Sequence, residues 1–131
     1  MLLLKEKTMQ PVQTNTAPAA IGPYSQGFIS GSFIFTAGQI PLSPETSEII
    51  GASIAEQTEQ VIKNLKAILD AAGSSIAKAV KTTCFLADMN DFATFNEVYA
   101  KHFTGKPARS TVAVKQLPRS ALVEIEVIAE V

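Results

Sequence analysis

The chain has 131 residues, 47% of them hydrophobic, which is one domain's worth of sequence with enough apolar content for a core. Its formal net charge of −1 comes from 11 basic and 12 acidic residues mixed along the sequence, so no basic stripe points to nucleic acid and no acidic block to a solvating tail. The single cysteine, Cys84, excludes an intramolecular disulfide and fits a reducing compartment.

Met1-Leu2-Leu3-Leu4 is apolar, but Lys5-Glu6-Lys7 ends it at once. That run is too short for a signal sequence or a membrane span, so a cytoplasmic protein with no membrane partner is expected. Residues 1–10 read as an N-terminal extension, with Met9 as a second candidate start, and 11–131 as a single domain. Pro11 to Pro23 is turn-rich and predicts an ordered loop. Gly27–Ser30 and Phe33–Ala37 read as strands of a hairpin turning at Ser30-Gly31-Ser32. A loop from Leu42 to Gly51 follows. Ser53 with Glu56 three residues on is a capping-box pattern. Val61, Ile62, Leu65, Ile68 and Leu69 then recur at helical spacing, and Gly73 supplies the stop, so Ser53–Ala72 is a helix. Val80–Ala87 reads as a strand. Asp91–Phe103 reads as a second amphipathic helix, with Phe92, Phe95, Asn96, Tyr99 and Phe103 on one face. Arg109–Gln116 and Ala121–Val131 are the last strands.

Two helices cover one face of such a sheet. Phe33-Ile34-Phe35 and Cys84-Phe85-Leu86 do not alternate in polarity, which predicts burial on both faces. No helix is left for the second face, so another subunit is expected to cover it, in a closed cyclic homo-oligomer.

Chemistry-bearing residues are few. One histidine and one cysteine, His102 and Cys84, without ligand spacing, argue against a metal site. A cysteine–histidine nucleophilic pair is conceivable, but Cys84 sits in an apolar strand, where free cysteine is usually a small core hydrophobe. His102 reads as helix-end solvation. Nucleotide-binding glycine motifs are absent, and no cofactor is expected. Arg109, at the head of a β-branched strand, offers a planar fork that matches a carboxylate; it equally fits a structural salt bridge to Glu124 or Glu126. Glu124 lies between Val123 and Ile125. Partial burial there would suit it to proton transfer, and an edge position would leave it a surface acid. Asn96 lies on an apolar helix stripe and needs a partner, and Tyr24 is a loop aromatic with a hydroxyl.

Several segments together resemble the Rid family, the reactive intermediate or imine deaminases. They are Ala17-Pro18-Ala19-Ala20-Ile21-Gly22-Pro23-Tyr24-Ser25-Gln26, Thr36-Ala37-Gly38-Gln39-Ile40-Pro41, Val80-Lys81-Thr82-Thr83, Asn90-Asp91-Phe92, Asn96-Glu97-Val98-Tyr99, Pro107-Ala108-Arg109-Ser110-Thr111 and Val123-Glu124-Ile125-Glu126. The resemblance spans about Asn15 to Val131. It implies an α+β, chorismate-mutase-like fold: a mixed β-sheet with two helices on one face, assembled as a homotrimer with active clefts between subunits. The implied reaction is hydrolysis of short 2-imino acids or their enamine tautomers to 2-keto acids and ammonia, without a cofactor. It implies Arg109 as the grip on the substrate carboxylate and Glu124 as holder of the attacking water. Tyr24 is implied as a catalytic residue of the pocket beside these two, Asn96 and Phe92 as substrate-binding pocket residues, and Gly38 as a backbone contact. Thr111 departs from the cysteine that many close relatives carry, which bears on the imine that fits. The other functional classes are a metabolite-binding regulatory trimer, which needs Arg109 but not Glu124, and a ribonuclease, which the mixed charge disfavours.

An antiparallel hairpin of the last two strands about Leu117–Ser120 is assumed to put Glu124 opposite roughly Ala113 and Arg109 opposite roughly Ile128. Both would share one sheet face, about four residues apart. The gap, and the need for walls around the cleft, lead to the expectation that at least one of Tyr24, Asn96 and Glu124 comes from a neighbouring subunit relative to Arg109.

Overall fold

The computed structural model describes residues 9–131. Six strands and two helices follow one another as β1 (Met9–Val12), β2 (Gly27–Ser30), β3 (Phe33–Thr36), α1 (Ile54–Ala71), β4 (Ala79–Leu86), α2 (Phe92–His102), β5 (Ala108–Ala113) and β6 (Val123–Glu130). The first strand departs from the sequence reading: Met9, Gln10, Pro11 and Val12 pair antiparallel with β2 instead of forming extension and loop. Pro11 is tolerated because β1 is a sheet edge, where a missing N–H breaks no ladder. The rest of the expected extension, residues 1–8, lies outside the described residues.

The sheet order is β1-β2-β3-β6-β4-β5, with β4–β5 parallel and the other pairs antiparallel. Gly31 takes φ 61° at the first of the two turn positions between β2 and β3, a conformation that favours glycine. The last two strands do not form the expected hairpin. β4 lies between them, pairing parallel with β5 and antiparallel with β6. A central slot suits β4, whose Cys84-Phe85-Leu86 run is apolar on both faces.

Helix α1 begins at the capping box read from the sequence. Ser53 Oγ accepts from the Glu56 N–H at 3.1 Å, and Glu56 Oε1 accepts from the Ser53 N–H at 3.2 Å. It ends in a Schellman closure, with the Gly73 N–H on the Asp70 carbonyl, the Ser74 N–H on the Leu69 carbonyl, and Gly73 at φ 79°. Both helices lie on one sheet face. α1 packs on β6 and β3 and against α2. Val61, Ile62, Leu65, Ile68 and Leu69 of α1 meet Val123, Ile125, Val127 and Ala129 of β6 and Phe95 of α2 in one core. Burying each of the larger of these is worth roughly 1.5–3 kcal/mol. On the opposite face, cross-strand partners line up as Phe28, Phe35, Ile128, Lys81 and Ala108. In the single chain Phe35 is 43% exposed and Val112, farther along β5, 48%. The second-face burial expected for Phe33 and Phe35 is therefore not met within one chain.

Candidate active site

Residues paired across neighbouring strands share a sheet face. Arg109 pairs with Thr82, and Thr82 with Val127, a core residue under α1. Arg109 therefore lies on the helix-covered face. There α2 presents Phe92, Phe95, Asn96 and Tyr99 on adjacent turns. Arg109 Nη1 donates to Asn96 Oδ1 at 2.7 Å, and Cζ stands 4.7 Å from the Tyr99 ring centre, 5.5 Å from Phe92 and 6.0 Å from Phe95. The salt bridge to Glu124 or Glu126 weighed above does not form. Among the described residues, no carboxylate lies within ion-pair distance of Arg109. Nothing among the described residues neutralises Arg109, and its guanidinium N–H donors are left over for an anion. A groove of about 570 Å³ opens beside it, lined by Asn96, Tyr99, Phe103 and Pro107 among others. Thr111 follows on the same face, opposite Cys84, and its buried hydroxyl has no hydrogen-bond partner among the described residues.

Glu124 belongs to the other face. It pairs with Phe85, which pairs with the exposed Val112. Its carboxylate lines a cleft of about 370 Å³ together with Tyr24, Gly38, Ile40 and Pro118. Burial, and secondarily the negative charge of Glu126, push its pKa above the ordinary glutamate value. No hydrogen bond to this carboxylate forms among the described residues. Gly38 is there for space: a Cβ built on it would stand 2.9 Å from Glu124 Cδ, closer than packed atoms tolerate. Tyr24, 56% exposed, follows a turn in which its N–H reaches the Gly22 carbonyl at 2.9 Å and Gly22 adopts φ 135°. The loop carrying it is held by buried Gln26. Gln26 Nε2 donates to the carbonyls of Pro18 (2.7 Å), Thr14 (3.0 Å) and Ala17 (3.3 Å), and its Oε1 accepts from the Thr14 N–H (2.7 Å).

The expected site residues thus fall into two groups. Tyr24, Gly38 and Glu124 share one cleft; Arg109, Asn96, Phe92 and Thr111 cluster on the opposite face. The expectation that Arg109 and Glu124 share a face is wrong, because the inserted β4 resets the register of β5 against β6. Cys84 is fully buried, and burial pushes its thiol up to about 11, so the thiolate is scarce at neutral pH. His102 Nε2 lies 2.8 Å from Glu59 Oε1 and ties the end of α2 to α1. Sequence reasoning missed Gln26 and Asn64, two buried amides that hold the cleft walls. Asn64 Nδ2 donates to the carbonyls of Ile40 (3.2 Å) and Leu42 (3.0 Å), beside Gly38. Their signal was a polar side chain beside an apolar run, which demands internal partners. Among the described residues, no three His, Cys, Asp or Glu side chains cluster as metal ligands, and no helix is long and apolar enough to cross a membrane.

Residues 14–131 match the family model described as endoribonuclease L-PSP. The chain belongs to this family, also known as the YjgF/Rid family. Among its relatives in the Rid family is a RutC family protein of Pyrococcus horikoshii, 55% identical over 117 residues, covering 88% of this chain and 93% of that protein. Another is the chloroplastic Reactive Intermediate Deaminase A of Arabidopsis thaliana, 50% identical over 119 residues, 90% of this chain and 64% of that one. The crystal structure of E. coli TdcF with bound serine superposes with a TM-score of 0.88 at 46% identity, covering 93% of this chain and 98% of that one. The mixed sheet with two helices on one face is thus the α+β fold of Rid proteins.

Proposed function

We propose that this Rid-family protein hydrolyses short 2-imino acids of the 2-iminobutanoate and 2-iminopropanoate type, or their enamine tautomers, to 2-keto acids and ammonia. The reaction runs in clefts between the subunits of a homotrimer. One observation carries the proposal: Arg109, paired with no acid among the described residues, and Glu124, a half-buried carboxylate of raised pKa beside an open cleft, occupy opposite faces of one sheet. A complete site then needs the Arg109 group of one subunit and the Glu124 group of the next. The named deaminase relative and the serine carried by TdcF support a small, carboxylate-bearing ligand.

Each group has a place in the chemistry. Arg109 grips the substrate carboxylate through its fork, and the fixed geometry lowers the barrier by positioning. Glu124 takes a proton from water as its oxygen bonds to C2 of the protonated imine. The tetrahedral intermediate carries a hydroxyl and an amino group on C2. Glu124 returns the proton to nitrogen and, as the C–N bond breaks, takes up the hydroxyl proton, so that the keto acid and ammonia leave and the proton on Glu124 passes to solvent. Tyr24 and Gly38 wall the Glu124 side. Asn96, Phe92 and Thr111 shape the Arg109 side. The free, buried Cys84 fits a reducing compartment, and we place the reaction in the cytoplasm.

The test adds the protein to a pyridoxal-phosphate dehydratase turning over threonine or serine and times keto-acid release. Accelerated release, lost in Glu124→Gln, supports the hydrolase. Tight amino-acid or keto-acid binding with no acceleration would instead favour the regulatory trimer, for which the serine in TdcF is the supporting observation. An endoribonuclease is disfavoured by charge. The 11 basic and 12 acidic residues are mixed along the chain and give no basic stripe to track a phosphodiester backbone.

A further inference from the structure

We infer that Tyr99 is the positioning residue for Arg109, its ring setting the height and direction of the guanidinium and its hydroxyl locking the ring to the sheet. This rests on the reading of Arg109 as the carboxylate grip.

Of the three rings near Arg109, Tyr99 is closest, at 4.7 Å from Cζ. Tyr99 is also the only one of them with a second anchor. Its hydroxyl lies 2.7 Å from Thr82 Oγ1, and both residues are buried. Thr82 is the cross-strand partner of Arg109 in β4. The arginine backbone and the ring beneath its head are therefore fixed to the same point of the sheet. Phe103 stacks on Tyr99 at 4.4 Å with an interplanar angle of 19°, which limits tilting of the ring. Asn96, one turn earlier in α2, takes one N–H through its Oδ1.

This support has a chemical consequence. A carboxylate holding Arg109 would neutralise it and compete with the substrate. A π face and an amide oxygen orient the fork while leaving its charge available. The phenol ring is thus a directional support that does not compete for the anion site. Its interaction with a cation strengthens when water is excluded, as a closing subunit would do.

The test compares intact wild-type protein with Tyr99→Leu and Tyr99→Phe. The Arg109 side-chain N–H signals in ¹⁵N–¹H NMR, assigned by their loss in Arg109→Lys, report directly on ring proximity. They should carry a ring-current displacement in wild type, keep it but broaden in Tyr99→Phe, which removes the hydroxyl anchor, and lose it in Tyr99→Leu. In turnover, Tyr99→Leu should raise KM roughly 3- to 30-fold with kcat little changed, and Tyr99→Phe should recover most of the loss. Calorimetric binding of 2-oxobutanoate gives the same comparison without turnover. If wild type binds 2-oxobutanoate but releases none from imine, the hydrolase reading fails while the Tyr99 inference is still judged by signals and affinity. A folded Tyr99→Leu protein with unmoved Arg109 signals overturns the inference, whatever its melting temperature. Should Tyr99→Leu not fold, Thr82→Val removes the anchor alone. Broadened Arg109 signals then support the inference, and sharp, unshifted ones overturn it.

Discussion

Glu124 is held at a free-energy disadvantage when ionised. Burial and Glu126 raise its pKa in the folded protein above that of the unfolded chain. A carboxyl shifted this way binds its proton more tightly when folded. Its stabilisation is complete below the unfolded pKa and is lost as pH rises through the folded one. Glu124→Gln should therefore melt higher than wild type at neutral pH, with the gain vanishing in acid, while turnover is lost. A thermal melt series across pH checks the sign. The same shift sets the kinetics: the acid limb of kcat/KM should fall above pH 4.5, the ordinary value for a glutamate. A limb at or below that value would remove Glu124 as the base. Gly38→Ala should push the carboxylate aside, because its new Cβ meets Glu124 Cδ at 2.9 Å. A misplacement of this kind lowers kcat by up to about 10²-fold. Arg109→Lys keeps the charge and loses the fork. It should raise KM roughly 10- to 100-fold, equivalent to about 1.5–3 kcal/mol of charged hydrogen bonding. Unchanged affinity in Arg109→Lys would reduce Arg109 to a structural residue.

The elements divide into those whose information is local and those whose information is not. Helix α1 was legible from Ser53, Glu56 and Gly73 because capping acts within a few residues. Strands β2 and β3 were legible because a hairpin closes over two turn residues. The partnership of β5 was not legible. Leu117–Ser120 looks like a hairpin link, but the chain crosses the end of β4, and Arg119 and Ser120 take positive φ of 59° and 57° on the way. Strand neighbours are decided by the whole sheet, and a short proline-containing link does not encode them. The site shared this limit. Arg109, Glu124 and Tyr24 stand out in the sequence as candidates by residue type, but the face each occupies follows from register, and one inserted strand put Arg109 and Glu124 on opposite faces. The supporting amides were hidden because an asparagine or glutamine within an amphipathic pattern does not reveal which carbonyls it will meet. Asn64→Ala should remove its donations to the Ile40 and Leu42 carbonyls, which keep only the Leu42 N–H and Gln60 Nε2 as donors, and the Oδ1 acceptor of Gln60. The expected loss is about 0.5–1.5 kcal/mol for each hydrogen bond removed, with faster hydrogen exchange in the loop from Gln39 to Gly51 as the local readout.

At the scale of the whole molecule, the sheet face away from the helices leaves Phe28, Phe33, Phe35 and Val112 partly exposed. An apolar face of this kind is where a second subunit is expected to sit. The same face carries Glu124, whereas Arg109 is on the other. In the proposed trimer, heterologous contacts would bring the two together once per interface, and the assembly would supply the site as well as stability. Sedimentation should then give a species of about three times 13.9 kDa, and a stable monomer would remove the second wall of every cleft. The most direct test mixes two inactive proteins, Arg109→Ala and Glu124→Gln, after dissociation and reassembly. Random mixing in a closed ring should place an intact Arg109 against an intact Glu124 at about one site in four and recover about a quarter of wild-type turnover. If mixed trimers demonstrably form and no turnover returns, the two residues do not meet across the subunit boundary and the account is contradicted.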